Sequence, residues 1–333
     1  RGRPRPAGFA AECPVSQTMP SVPVPVPVSG SLASAQGPAP VLQQSHRTDR
    51  IVSALFLLPA VLFLCLTSVY PLIYSFWLSL HSWNQTIPNS RPVWVGGLNY
   101  QQLLANPAFI NSLKVTLIFV FFAVTIEFVL GMGLAMLATS DIKAMGLIRT
   151  VMLFPLMIAP VIAGVLWRTL FHPSYGVINE VLGLVGIPAQ EWLGSPTQAL
   201  PAVITVEIWQ NLPVVAFVLA AGIQSLPVDL YKAARVDGAS SLQIFFRITL
   251  PLLKPVIMVL LLLRIMDAFK VFDIVFTMTY GGPGQVTELL SMLIYKTGFR
   301  FFQIGQASAM SWVFLVGIFL ISLFFIRKIQ RPE

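Results

Sequence analysis

Apolar residues fall into six long runs, at about 51–80, 110–138, 147–171, 200–223, 255–277 and 306–326, parted by short polar stretches. Each is long enough, at roughly 20 residues or more, to carry a helix across a hydrocarbon core of about 30 Å. The run 51–80 has no charged residue at all. Backbone groups inside a bilayer must be satisfied within their own segment, and runs of this length do so as helices. The pattern predicts an all-α fold, a polytopic bundle of six transmembrane spans occupying residues 47–331. The stretches at about 81–109, 172–199 and 278–305 carry turn formers such as Asn106-Pro107, His172-Pro173 and Gly281-Gly282-Pro283, and read as loops on one side. On the other side lie a short connection at 140–146 and a longer one at about 224–254.

Composition agrees with this reading. The 333 residues are 56% hydrophobic and 10% charged, with a mean hydropathy of +0.78. A soluble core of this length cannot hide so much apolar surface, and the bilayer supplies the missing burial. Residues 1–46 differ: they are rich in Pro, Ser and Ala, include VPVPVPVSGS and show no periodicity, which predicts a disordered, extended tail. The first methionine is Met19, so residues 1–18 read either as foreign to the native protein or as part of a genuine tail.

Charge adds orientation. If the N-terminus is cytoplasmic, eleven basic residues flank the spans inside (Arg47, Arg50, Lys143, Arg149, Lys232, Arg235, Arg247, Lys254, Arg327, Lys328, Arg331) and three lie outside (Arg91, Lys296, Arg300). The positive-inside bias then predicts that both termini face the cytoplasm. The net charge of +8 is scattered over short loops and forms no aromatic-interleaved stripe, so nucleic acid is not the expected partner. Cys13 and Cys65 make neither a disulfide framework nor a CxxC pair, and His46, His81 and His172 are too dispersed for a metal site. There is no paired acid–base set for a membrane enzyme and no G-x-x-x-x-G-K-[ST], so this chain is not expected to hydrolyse ATP.

The long inner connection, 225–254 with Pro255 after it, reads SLPVDLYKAARVDGASSLQIFFRITLPLLKP. Pro227 and Asp229 suit a helix start, and Leu230, Ala233, Ala234 and Val236 follow on a short helix. Asp237-Gly238 permits a sharp turn. A second amphipathic piece sets Leu242, Phe245, Phe246 and Ile248 against Ser241, Gln243 and Arg247, and is expected to end before Pro251. Two short helices hinged at a glycine make a compact knob, with Ala233, Ala234 and Gly238 allowing close backbone approach. Physics alone leaves two uses open: a knob seated in a protein socket, or a hairpin lying on lipid headgroups.

The spacing E-A-A, three residues, Gly, nine residues, I-x-L-P marks the inner-membrane permeases of bacterial ABC importers. This chain resembles it through Lys232-Ala233-Ala234, Gly238, Ile248, Leu250 and Pro251. The segments YPLIYSFWLSLHSW (70–83), VGGLNY (95–100) and FKVFDIVFTMTYGGPG (269–284) look like the carbohydrate-uptake branch, related to the first of the two maltose-type permeases. The resemblance covers about 50–331. It implies that the loop is a coupling element seated in an ATPase cleft. It also implies two ATPase subunits that bind ATP and Mg, a second and different permease, an extracytoplasmic solute-binding protein, and a multi-pass place in the bilayer of a bacterial inner membrane. No cofactor is implied for this chain. Lys232 stands where the family usually has Glu, so the usual ionic contact cannot be carried over there.

In such importers solute passes between the helices of two permease halves, and the fifth run is the most polar here. Arg264, Asp267, Lys270 and Asp273 alternate in sign at intervals of three. Arg264 lies about 13 Å in from Pro255 and must face protein or water, as a solute contact or as half of an interhelical ion pair. In the fourth run Glu207, Trp209, Gln210 and Asn211 precede Pro213, and Trp209 and Asn211 suit a sugar ring, though Trp209 equally suits a lipid or core face. Glu127, with Gly131 and Ala135, reads as part of a helix-packing face. The expected solute is a sugar or sugar-like molecule. The alternatives are a polyol or glycerol-phosphate permease, or an ion-driven secondary transporter, which inverted repeats would signal and which none here suggests.

Overall fold

A computed structural model describes residues 46–139 and 145–329. The tail at 1–45, Lys143 and Arg331 lie outside the described residues, as do the side chains of Arg47, Arg50 and Arg149. The chain divides into two units, Arg1–Ala60 and Val61–Glu333. The described part of the first is helical, residues 46–60 belonging to α1 (His46–Leu64).

In the second unit α2 (Tyr70–Ser79) is followed by a short antiparallel pair, β1 (His81–Ser82) and β2 (Val93–Trp94), with His81 opposite Trp94. Next come α3 (Leu98–Ala105) and α4 (Pro107–Ala138). The start of α4 is set by local chemistry: Asn106 Oδ1 accepts from the Ala108 N–H at 2.9 Å, and Pro107 occupies a position whose N–H would have no partner. Buried positions along α4 recur every three or four residues: Phe109, Ser112, Thr116, Phe119, Ala123, Glu127, Gly131, Ala135 and Ala138. From Phe119 onward that stripe packs on α8 (Ala199–Gln224), while Phe109 and Thr116 meet Leu290. At the crossing, a Cβ on Gly131 would come within 2.7 Å of Val215 Cγ1, so only glycine allows the approach.

The run at 147–171 is not one straight helix. α5 (Met145–Leu153) passes through a tight turn, Phe154–Met157, and a new helix, α6 (Pro160–Leu170), leaves at 103° to the preceding segment. The cause lies in Pro155 and Pro160, which donate no hydrogen bond: Pro155 falls in the tight turn, and Pro160 pushes the residue before it out of helical geometry, Ala159 sitting at φ −60°, ψ 139°. α7 (Val177–Leu184) follows before α8.

A second correction concerns the inner loop. α9 (Val228–Val236) forms as expected. The piece after it does not stop before Pro251: α10 (Ser241–Ile244) runs through a π-turn, Phe245–Thr249, into α11 (Leu250–Phe269). The wider π-turn bonds the Leu250 N–H back to Phe245 O, and Pro251 then falls in the first turn of α11, where its missing N–H costs little. The helical run is therefore Ser241–Met278, 38 residues, interrupted near its C-terminal end at Lys270–Phe272 before α12 (Asp273–Met278). α13 (Leu290–Tyr295) and α14 (Ile304–Ile329) complete the chain.

Among the described residues five helical segments are long and apolar enough to cross a membrane: Leu55–Ser79, Pro107–Ala138, Ala199–Gln224, Ser241–Met278 and Ile304–Ile329. The bent pair Thr150–Met157 and Pro160–Leu170 makes a sixth when counted as one broken span. The core lies between α4, α8, α11, α12 and α13, around Phe119, Val203, Val206, Val275 and Met292.

Candidate functional site

Three charged side chains from three spans meet inside this core. Arg264 on α11 is 4% exposed, Glu127 on α4 is 0% and Glu207 on α8 is 2%. Arg264 donates from Nε to Glu127 Oε2 at 3.0 Å and from Nη2 to Glu127 Oε1 at 3.1 Å, a fork that matches the carboxylate. Nη2 also donates to Glu207 Oε1 at 3.0 Å. Asn211, one turn along α8, donates to the same Glu207 oxygen at 2.9 Å. An isolated buried charge is too costly to persist, and this network keeps all three paired. Arg264 is thus the interhelical partner of two carboxylates 137 and 57 residues away. The packing role read for Glu127 acquires an ionic component.

This network opens onto a cavity of about 470 Å³. Its walls are Glu207, Gln210 and Asn211 of α8, Arg264 and Asp267 of α11, and the two helix breaks: Leu156, Ile158 and Pro160 in one, Lys270 through Asp273 in the other. Breaks at membrane depth are tolerated where the freed backbone lines a cavity or finds a partner. Here Gln210 Nε2 donates to Ile158 O at 2.9 Å, satisfying a carbonyl that the turn into α6 leaves open. Lys270 Nζ lies 3.1 Å from Asp267 Oδ1, and Asp267 Oδ2 lies 3.9 Å from Arg264 Nη1, so the alternating charges form a ladder. Both Asp267 and Lys270 remain more than half exposed, at 57% and 58% of their side chains. A second, apolar cavity of about 640 Å³ shares Asn211, Arg264 and Asp267 and continues along Val214, Val218, Val259 and Leu263 to Pro255.

Asn211, Arg264, Asp267 and Lys270 of the expected pathway set therefore surround one space. Trp209 does not line it; the indole stands edge-on to Trp167, with ring centroids 5.4 Å apart. Glu207 and Gln210 do line it, and sequence reasoning named them only in passing. The signal that would have raised them is charge bookkeeping: one buried Arg within apolar runs calls for buried acids in other runs, and Glu127 and Glu207 are available.

The inner loop presents a different surface. α9 ends in a Schellman turn, with the Ala239 N–H on Ala234 O at 2.9 Å and the Gly238 N–H on Arg235 O at 3.1 Å. Gly238 takes φ +77°, a left-handed conformation that glycine adopts without strain. Ser240 then caps α10 in a reciprocal box with Gln243. Lys232 pairs with Asp229 at 3.3 Å on its own helix, so its cation has a local partner. Ala233, Asp237, Gly238 and Leu242 are exposed, and Val236 and Phe246 show 87% and 60% of their surface. Ile248, Leu250 and Pro251 lie beyond the turn, at the root of the fifth span. Among the described residues no group of three or more His, Cys, Asp or Glu could hold a metal ion.

A family profile described as "Binding-protein-dependent transport system inner membrane component" matches residues 128–332. The chain is 40% identical over 276 residues to the probable ABC transporter permease protein y4oQ of Sinorhizobium fredii, spanning 83% of this chain and 89% of the other. It is 37% identical over 252 residues to the trehalose/maltose transport system permease protein MalF of Thermococcus litoralis, spanning 76% and 83%. Among solved structures it is similar to a chain of a bacterial alginate ABC transporter in complex with an alginate pentasaccharide-bound periplasmic protein. There the TM-score is 0.73 at 26% identity, over 84% of this chain and 93% of the other.

Proposed function

We propose a function that proceeds from one fact: this chain belongs to the family of binding-protein-dependent transport system inner membrane components. It is a permease subunit of an ABC importer, and the solute it passes is a sugar or sugar-like molecule, as the trehalose/maltose relative suggests. The observation that carries this reading is the cavity between the two helix breaks, with Gln210, Asn211, Asp267 and Lys270 on its walls. Amides, a half-exposed carboxylate and an ammonium offer donors and acceptors to hydroxyl groups, while Val271 and Phe272 offer apolar surface to sugar C–H faces. This chain forms half of the pathway and a second permease forms the other half. The importer has two ATPase subunits, one of which seats against the exposed face of the 225–254 loop at Lys232, Ala233, Asp237 and Gly238, and an extracytoplasmic binding protein delivers solute to the outer loops. Both termini face the cytoplasm of a bacterial inner membrane, a reading supported by the basic residues that flank the inner ends of the spans.

The test is uptake of labelled neutral sugars, trehalose and maltose first, by the complete importer in vesicles. Asn211→Leu and Asp267→Leu are expected to lower uptake at least tenfold while leaving insertion and complex assembly intact, because each replaces a hydroxyl partner with an apolar group that offers it no hydrogen bond. Unchanged uptake in both variants would place the pathway elsewhere.

A further inference from the structure

No residue of α9 is buried, so packing within this chain does little to hold it. Both its ends are turns. Leu226 and Pro227 precede it, and after it Gly238 has no atom within 4 Å of where a side chain would begin. A short rod held between two turns swings when pushed, and the displacement is lost in the turns. Among the described residues a side-chain rung opposes this: the Tyr231 hydroxyl lies 3.0 Å from the Thr249 hydroxyl, bridging the hairpin across 18 residues. Thr249 is 5% exposed and closes the π-turn immediately before α11.

Beyond Thr249 the helix is firmly seated. Leu253 is fully buried, and a Cβ on Gly222, at the inner end of α8, would come within 2.9 Å of Leu253 Cδ2. Arg264, about 22 Å along the helix from Thr249, is bound to Glu127 and Glu207. The fourth and fifth spans are thus joined near the loop and again beside the cavity. A displacement that reaches Thr249 enters a unit that moves the cavity wall.

We propose that the Tyr231–Thr249 hydroxyl pair is the strut that passes motion of α9 into the fifth span, which makes both residues positioning residues for coupling. This rests on the reading of 225–254 as the ATPase seat. ATPase docking needs only the outer surface of α9, so loss of the strut leaves docking intact and uncouples hydrolysis from movement of the wall.

The complete importer, reconstituted in vesicles with Cys13→Ser, Cys65→Ser and the reporter Leu263→Cys in the apolar cavity, provides the test. ATP hydrolysis is measured beside the rate at which an impermeant thiol reagent modifies the reporter, with and without vanadate-trapped ATP. Tyr231→Phe and Thr249→Val each remove one hydroxyl at nearly constant size. Either is expected to keep hydrolysis within twofold and shrink the trapping-dependent change in labelling at least threefold, and the double variant to add nothing further. An undiminished change in labelling would overturn the strut. A parallel fall in hydrolysis would overturn it too, because it marks a docking defect. Gly238→Pro serves as control: if both hydrolysis and labelling survive it, the ATPase seat itself is misplaced, a separate failure.

Discussion

Arg264 is the residue on which the interior depends. With its guanidinium between Glu127 and Glu207, replacement by Met leaves two carboxylates facing each other out of water. Removing one partner of a buried ion pair costs about 3–5 kcal/mol, so Arg264→Met is expected to lower the thermal unfolding temperature of the purified complex sharply. The triple variant with Glu127→Gln and Glu207→Gln is expected to recover most of that loss, since no unpaired charge remains. Recovery in the triple variant, read in the same thermal scan, separates a charge effect from a packing effect. Arg264→Lys is expected to recover less, because an ammonium cannot reproduce the fork on Glu127. The cost of burying Arg264 was legible in the sequence, since an arginine inside an apolar run always needs partners. Which partners it found was not, because Glu127 lies 137 positions away and only the crossing of α4 with α8 brings the two acids together.

At the scale of elements, proline position decides where spans break. Pro155 and Pro160 turn the third span through 103°, whereas Pro251, Pro255 and Pro213 are carried within helices. The prolines themselves are plain in the sequence, but whether each breaks or merely loosens its helix depends on what accepts the freed groups. Gln210 Nε2 donates to Ile158 O, and ahead of Pro251 the π-turn at Phe245–Thr249 pairs the Leu250 N–H with Phe245 O. The second loop helix therefore merges with the fifth span instead of stopping before Pro251. The turn at Gly238 was legible for a local reason, since glycine after a short helix signals a left-handed cap. Ser240 belongs to the same scale. Its hydroxyl accepts from the Gln243 N–H and the Gln243 side chain answers on the Ser240 N–H, so Ser240→Ala is expected to cost about 1 kcal/mol of local stability. Amide hydrogen exchange at Gln243 and Ile244 should quicken by roughly fivefold, with exchange in α11 unchanged.

For the whole molecule, the distribution of burial points to an incomplete assembly. The windows of Pro107–Ala138 and Ala199–Gln224 are 44% and 56% buried, while that of Ile304–Ile329 is 11% buried. The two well-buried spans hold the carboxylates of the ion network, Arg264 reaches them from the fifth span, and the polar cavity is lined by the breaks in the third and fifth spans. With Asp267 and Lys270 more than half exposed, the cavity suits the proposed place of this chain as one half of a pathway that a second permease completes. The six-run pattern made the class of protein legible from apolar length alone. The cavity was not legible, because it arises where two broken spans from distant parts of the chain face the same turn of α8.

The central claim is that this cavity is the chain's share of a pathway opened in turn to each side of the membrane by ATP. Asn211→Cys in a Cys13→Ser, Cys65→Ser background places one thiol on its wall. In vesicles of known orientation carrying the complete importer, an impermeant thiol reagent is applied from either side, without nucleotide and with vanadate-trapped ATP. The account predicts that trapping exchanges the side from which the thiol reacts. Reaction from the same side in both states, or from neither, would contradict it.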